Sequence, residues 1–129
     1  MVTSFRDLNV WQRSVEMSVA LNRLIWSLPQ EERSLTSRLR RASVFVTGNI
    51  AEGWIHMSDG DYVQYFGKAR GTVMEVQSQL HIAEERGLGD TQTLHHAEDL
   101  SREVSDMLAT MLDVRDGAAG RDATADQAA

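Results

Sequence analysis

Apolar side chains return every three or four residues along four stretches of the chain, and this spacing constrains the fold more than any other feature. Side chains with that period share one face of an α-helix, so each stretch predicts a helix with one buried face. The clearest stripe comprises Tyr62, Phe66, Ala69, Val73, Val76, Leu80 and Ala83. The composition agrees, because a single proline and abundant Leu, Ala, Glu and Arg favour helices over strands.

Turn residues set the limits of the first two predicted helices. The first begins after Asp7, a good N-cap residue, and ends at Leu28 because Pro29 cannot continue it. The second covers about residues 34–53 on its own stripe of apolar positions. Val44 and Phe45 lie off that stripe, which indicates that the second helix buries a second face.

Capping residues set the limits of the last two predicted helices. The segment HMSDGDY opens the third helix, with Ser58 and Asp61 spaced as in a capping box. Gly87 ends this helix, because glycine suits the left-handed position after a helix. Asp90 or Thr91 caps the fourth helix. The third helix is predicted to be the longest of the four.

The four helices and their short links predict one all-α domain, an antiparallel up-down-up-down four-helix bundle. The bundle is assigned to residues 1–115. Residues 116–129 are predicted to form a flexible C-terminal tail, because the sequence there has no large side chain to bury. The expected location is the cytoplasm: the N-terminus does not resemble a signal peptide, and no apolar run approaches the roughly 20 residues that span a membrane.

Charge is distributed unevenly between the two halves of the chain. Residues 1–57 contain seven arginines and five acidic residues, whereas residues 58–129 contain six basic and fourteen acidic residues. The formal net charge of the whole chain is −6. This balance argues against a strongly basic nucleic-acid binder, although a local arginine patch in the first half remains compatible with it.

Known catalytic and metal-binding patterns are not found in the sequence. Di-iron bundles use Glu-x-x-His pairs, and none of the four histidines, His56, His81, His95 and His96, has a glutamate three residues before it. There is no cysteine, no serine lies in a G-x-S-x-G turn, and GKARG lacks the glycine spacing of a phosphate loop. We therefore expect no enzymatic activity, no cofactor and no metal.

Four arginines cluster in the first half of the second helix: Arg33, Arg38, Arg40 and Arg41. Arginine holds phosphates with two parallel hydrogen bonds, so these residues are candidates for binding a nucleic acid or another partner. Alternatively, they form salt bridges with the acidic third and fourth helices, within one subunit or between subunits. The salt-bridge interpretation is favoured for Arg41, which lies beside the apolar stripe.

The segment NIAEG places Asn49 and Glu52 among apolar residues, followed by Gly53. Residues three apart share a helix face, so the two side chains could form a polar site near the end of the bundle. They could instead fix helix register by hydrogen bonding to neighbouring backbone or to Arg and Ser side chains. The structural role is favoured, with Gly53 ending the helix in the left-handed conformation.

Three segments together resemble a known protein family. FRDLNVWQRSVEMS is similar to its N-terminal signature, LPQEERSLTSRLRRASVFVTGNIAEGW to its central signature, and YFGKARGTVMEVQSQLHIAEERG to its third. The order and spacing of the three segments match the family of four-helix bundle proteins encoded in intervening sequences of bacterial 23S ribosomal RNA genes. The resemblance covers about residues 5–112.

The resemblance implies an up-down bundle that assembles into ring-shaped homopentamers and has no enzymatic activity. A distant branch of the family serves diversity-generating retroelements as accessory proteins that bind reverse transcriptase and RNA. Those accessory proteins are basic, whereas this chain is acidic. The leading hypothesis is a homo-oligomer, expected to be a pentamer, that acts as an assembly module with structured RNA or a ribonucleoprotein as a candidate partner. The alternative is an acidic scaffold for protein–protein interactions that binds no nucleic acid.

Overall fold

The structure, a computed structural model, describes residues 2–119, with side chains through Asp113. A 3₁₀ turn at Phe5–Asp7 precedes four helices: α1 (Asn9–Trp26), α2 (Arg33–Ile55), α3 (Tyr62–Glu85) and α4 (Thr91–Ala119). Helix α1 packs against α2 and α4, and α3 packs against the same two helices. The α1 and α3 helices therefore lie diagonally across the bundle, which confirms the predicted all-α four-helix fold.

The core is built from the apolar stripes that the sequence predicted. Every member of the α3 stripe from Phe66 to Ala83 is fully buried. Burying one large apolar side chain stabilises a fold by about 1.5–3 kcal/mol, so these layers supply much of the driving force for folding. The largest fully buried side chains are Phe66, Met17, Leu21, Leu24, Leu39, Ile50, Leu80, Leu94 and Leu108.

The link between α3 and α4 has the predicted capping residues. Gly87 adopts a φ of +67°, and the N–H of Leu88 donates to the carbonyl of Ala83 at 2.9 Å, which closes the last turn of α3. The carboxylate of Asp90 accepts hydrogen bonds from the backbone N–H and the hydroxyl of Thr93. Asp90 is therefore the N-cap residue of α4.

The predicted start of α3 was wrong. Residues 56–61 form a turn, and α3 begins only at Tyr62, so Ser58 lies too early to cap it. The turn is held instead by Asp59, whose Oδ1 accepts from the N–H of Asp61 at 3.0 Å. As a result α3 has 24 residues, and α4, with 29, is the longest helix described.

The predicted end of α2 at Gly53 was also wrong. Gly53 has helical backbone geometry, and the helix continues to Ile55. Gly53 is buried there, and a methyl group built on it would overlap the ring of Phe66. The glycine therefore allows α2 and α3 to approach closely, rather than ending the helix.

Helix α4 continues to Ala119, four residues beyond the expected end of the bundle at residue 115. The rest of the predicted tail, residues 120–129, lies outside the described residues. None of the described helices combines the length and apolar character that crossing a bilayer requires.

Candidate functional site

Two stripes of half-buried and exposed residues line a groove between α2 and α3. They lie beside the core stripes, on the sides of the two helices that face each other. We call this surface the α2/α3 groove; its volume is about 600 Å³. Its lining residues are Arg38, Arg41, Ala42, Phe45, Thr72, Glu75, Ser78, Gln79 and Ile82.

The groove combines apolar walls with an unsatisfied polar atom. Phe45 on α2 and Ile82 on α3 are 46% and 49% exposed, which leaves large apolar area in contact with water. Gln79 also lines the groove, and its Oε1 atom is buried without a hydrogen-bond donor in the described part of the chain. An unpaired buried acceptor costs about 1–3 kcal/mol, so a ligand that supplies a donor here gains stabilisation.

The four predicted arginines divide between two neighbouring surfaces of α2. Arg38 and Arg41 line the groove, opposite Glu75 of α3. Arg40, together with Arg41, flanks Val44 and Phe45 on the outward face of α2. Arg33 is the first residue of the helix, seven positions before Arg40, and lines neither surface.

All four guanidinium groups are exposed, and within residues 2–113 none of them forms an ion pair. The salt bridge expected for Arg41 within the subunit is therefore absent from this part of the chain. Glu75, the acidic residue among those that line the groove, is likewise exposed and unpaired there. These charges remain available to a partner.

Asn49 and Glu52 continue the groove stripe of α2 toward the end of the helix. The amide of Asn49 donates to the carbonyl of Phe45 one turn earlier, at 2.8 Å. Glu52 is exposed and lies 3.6 Å from Nε2 of His56. Both side chains therefore interact within their own helix and its cap; among the described residues, neither forms a hydrogen bond or an ion pair with a neighbouring helix. Gly53, the third residue of the predicted motif, serves helix packing.

A small polar cluster follows at the α2–α3 turn. Nδ1 of His56 lies 2.9 Å from Oδ2 of Asp59, and the imidazole stacks on the ring of Tyr65 with centroids 5.0 Å apart. The hydrogen bond with Asp59 raises the pKa of His56, and the same bond lowers the pKa of Asp59. The sequence did not predict this cluster, because the expected helix end at Gly53 separated Glu52 from His56.

Two groups of side chains bring imidazole and carboxylate ligands within 4.8 Å of one another in the described part of the chain. One is His56, Asp59 and Asp61 at the turn; the other is Glu84, His95 and Glu98 between α3 and α4. Burial and a hydrogen bond with Glu84 raise the pKa of Glu98. Neither group has the inward Glu-x-x-His pairs of bundle metal centres, and the absence of a metal remains a prediction.

Sequence reasoning located the arginines but missed the groove beside them. Phe45 and Ile82 belong to stripes that run parallel to the core stripe and one helix position away from it. The residues in these stripes recur every three or four positions, as the core residues do. The stripe on α2 is Arg38, Ala42 and Phe45, and the stripe on α3 is Thr72, Glu75, Gln79 and Ile82. This second period was the signal that could have revealed the groove.

Comparison with known proteins bears on the same part of the chain. Residues 6–110 match the family model described as 23S rRNA-intervening sequence protein. No curated protein matches the chain. The matched range contains part of the 3₁₀ turn, α1, α2, α3 and most of α4, and therefore every groove residue described above. The chain belongs to the 23S rRNA-intervening sequence protein family.

Proposed function

We propose that this protein is a non-catalytic assembly module, a helical bundle that associates with further copies of itself. The main support for this proposal is the exposed apolar area on the outward face of α2, where Val44 is 68% and Phe45 is 46% exposed. Contiguous exposed apolar surface on a soluble domain is typical of interaction sites. Arg40 and Arg41 frame this area with charges that can select a partner.

Several further apolar side chains are exposed on other sides of the bundle, which supports assembly through two different surfaces. Val19 and Trp26 are exposed on α1, and Ile82 on α3. An interface between two different surfaces generates a ring when its rotation closes. We expect the homopentamer that the family resemblance implies.

The absence of catalysis is part of the same proposal. The hydroxyl groups in the groove belong to Thr72 and Ser78, and no histidine lines the groove beside them. Hydroxyl nucleophiles are usually activated by an adjacent histidine, which the groove does not supply; its acidic residue, Glu75, is exposed to solvent.

Light scattering coupled to size-exclusion chromatography tests the proposed assembly. The wild-type chain is expected to elute as a homo-oligomer at micromolar concentration, and the double variant Val44→Glu, Phe45→Glu as a smaller species. Asp99→Asn on α4 is the control, because Asp99 is exposed and pairs only with Arg102 of its own helix. A monomeric wild-type protein overturns the proposal.

A second candidate function is a ribonucleoprotein accessory role, favoured by four guanidinium groups on α2 that form no ion pair within residues 2–113. Replacing Arg38, Arg40 and Arg41 with Gln is expected to weaken binding to a structured ribosomal RNA fragment and to reduce its dependence on salt. Arg102→Gln is the matched control, because this arginine is exposed but already paired with Asp99. Absence of binding at low salt removes this candidate, and nuclease-resistant capture of a basic protein favours the acidic scaffold instead.

A further inference from the structure

Trp26 is the most exposed of the large apolar side chains described, with 85% of its surface accessible. It is the last residue of α1 and lies seven residues after Val19, so the two share the outward face of the helix. Arg23, one turn before Trp26, is also exposed and forms no ion pair within residues 2–113. An exposed tryptophan beside a free arginine has the composition of an interface hot spot.

The α2/α3 groove has features that complement Trp26 and Arg23. Phe45 and Ile82 provide apolar walls for an indole ring, and Oε1 of Gln79 is a buried acceptor that needs a donor. An indole has a single N–H donor and a large apolar body, so it can satisfy both requirements at once. Glu75, one turn before Gln79 on α3, supplies an unpaired carboxylate for a cation.

We propose that Trp26 of one copy inserts into the α2/α3 groove of the next copy, where the Gln79 side chain turns to expose its buried Oε1 atom to the indole N–H, and that this insertion brings Arg23 to Glu75. This pairing deepens the proposed self-association and rests on it. The register agrees with the topology, because α1 and α3 run in the same direction in an up-down bundle. Along parallel helices, the residue one turn before Trp26 meets the residue one turn before Gln79.

The two halves of the pairing lie at the same end of the bundle. The N–H of Asp90 donates to the hydroxyl of Ser27, next to Trp26, and Arg86 at the end of α3 pairs with Glu32 at the start of α2. Ile82 precedes Arg86 by one turn. Copies arranged side by side around an axis parallel to their helices therefore present Trp26 and the Ile82 end of the groove at the same end of the bundle.

One copy cannot fill its own groove with Trp26. Helix α1 lies diagonally opposite α3 and does not contact it, and Trp26 lies on the outward side of α1. The tryptophan and the groove are consequently two separate surfaces, and both can be occupied at once. Such a head-to-tail contact is the kind that closes into a ring.

Complementation between two variants tests this pairing. Trp26→Ala removes the inserted side chain, and Ile82→Arg blocks the groove; each alone is expected to weaken assembly by roughly 30-fold or more, as loss of a hot spot does. Mixed together, they retain one intact contact, between Trp26 of the second variant and the groove of the first. The expected product is therefore a heterodimer and nothing larger.

Met74→Arg is the matched control, because Met74 is exposed on the same helix as Ile82 but does not line the groove. It is expected to assemble as the wild type does. Circular dichroism of all variants checks that the bundle is intact. Tryptophan emission of the wild type is expected to shift to shorter wavelength on assembly, and this shift should disappear in Trp26→Phe.

The outcomes separate this pairing from the broader proposal. A wild-type oligomer that persists in both Trp26→Ala and Ile82→Arg overturns the pairing and leaves self-association standing. Two monomeric variants that do not associate when mixed also overturn the pairing. A monomeric wild type overturns self-association, and the pairing with it.

Discussion

At the scale of single residues, Gly53 is a position that leaves no room for a side chain. The ring of Phe66 occupies the space that a Cβ atom would need, and both residues are buried. Gly53→Ala should therefore destabilise the bundle by about 1–3 kcal/mol through overpacking, less about 1 kcal/mol from the better helix propensity of Ala. Urea unfolding followed by circular dichroism measures the net loss.

Gly48 provides the matched control in the same helix. It is exposed, and apart from its chain neighbours and the backbone of its own helix, no described atom lies within 4 Å of the place where its Cβ would stand. Gly48→Ala is expected to stabilise the bundle by up to about 1 kcal/mol, because only helix propensity changes. Equal effects of the two substitutions would contradict the close approach of α2 and α3 at Gly53.

The His56–Asp59 pair makes a pH-dependent contribution to stability. Because the pKa of His56 is raised by Asp59, its contribution is complete below the unfolded-state pKa, about 6.5, and is lost as pH rises through the folded-state value. Because the pKa of Asp59 is lowered by His56, its contribution is present above the unfolded-state pKa, about 3.9, and is lost as pH falls through the folded-state value.

The stability advantage of the wild type over Asp59→Asn should therefore be largest between about pH 4 and 6.5. Thermal unfolding of both proteins across this range measures the advantage. Nuclear magnetic resonance titration should show the pKa of His56 falling in Asp59→Asn. An unchanged pKa would show that the hydrogen bond of His56 with Asp59 does not persist in solution.

At the scale of elements, helix starts depend on which side chain reaches the backbone. Asp90 caps α4 through its bonds with Thr93, and these bonds lower the pKa of Asp90. Asp90→Ala should lower the thermal midpoint, whereas Ser58→Ala should leave it unchanged, because Ser58 lies in the turn before α3. A loss of stability in Ser58→Ala would support the capping box that the sequence suggested.

The lowered pKa of Asp90 also makes the stability of this cap depend on pH. Its stabilisation is present above the unfolded-state pKa of the carboxyl group and is lost as pH falls through the lower folded-state value. The difference between wild type and Asp90→Ala should therefore diminish in acid, which a series of thermal unfolding curves measures.

The sequence predicted helices wherever the apolar period was strict and failed where tertiary contact decided the outcome. The α3 stripe is fully buried from Phe66 to Ala83, as its spacing indicated. Gly53 was misinterpreted because glycine is a helix terminator in isolation, and only the neighbouring Phe66 makes it a packing residue. The arginines of the candidate site were predictable from charge, but the unpaired Gln79 depends on how α2 and α3 pack.

At the scale of the whole molecule, the inward and outward sides of the helices differ in what their side chains do. The inward stripes hold four helices together, and the outward residues that the core does not need carry apolar area and unpaired charge. Phe45, Trp26 and Ile82 cost solubility on an isolated subunit, and their exposure is accounted for if other copies cover them. The proposed pairing assigns all three residues to a single contact, with Trp26 of one copy against Phe45 and Ile82 of the next.

Assembly of this kind couples stability to protein concentration. An oligomer that forms only from folded subunits gains about 1 kcal/mol of stability per subunit for each roughly tenfold rise in concentration. For a domain of this size, that gain corresponds to an increase of a few degrees in the thermal midpoint. We expect this increase in the wild type and in Met74→Arg, and a constant midpoint in Ile82→Arg. Differential scanning calorimetry over a dilution series measures it, and a wild-type midpoint that does not change with concentration would contradict assembly of folded subunits.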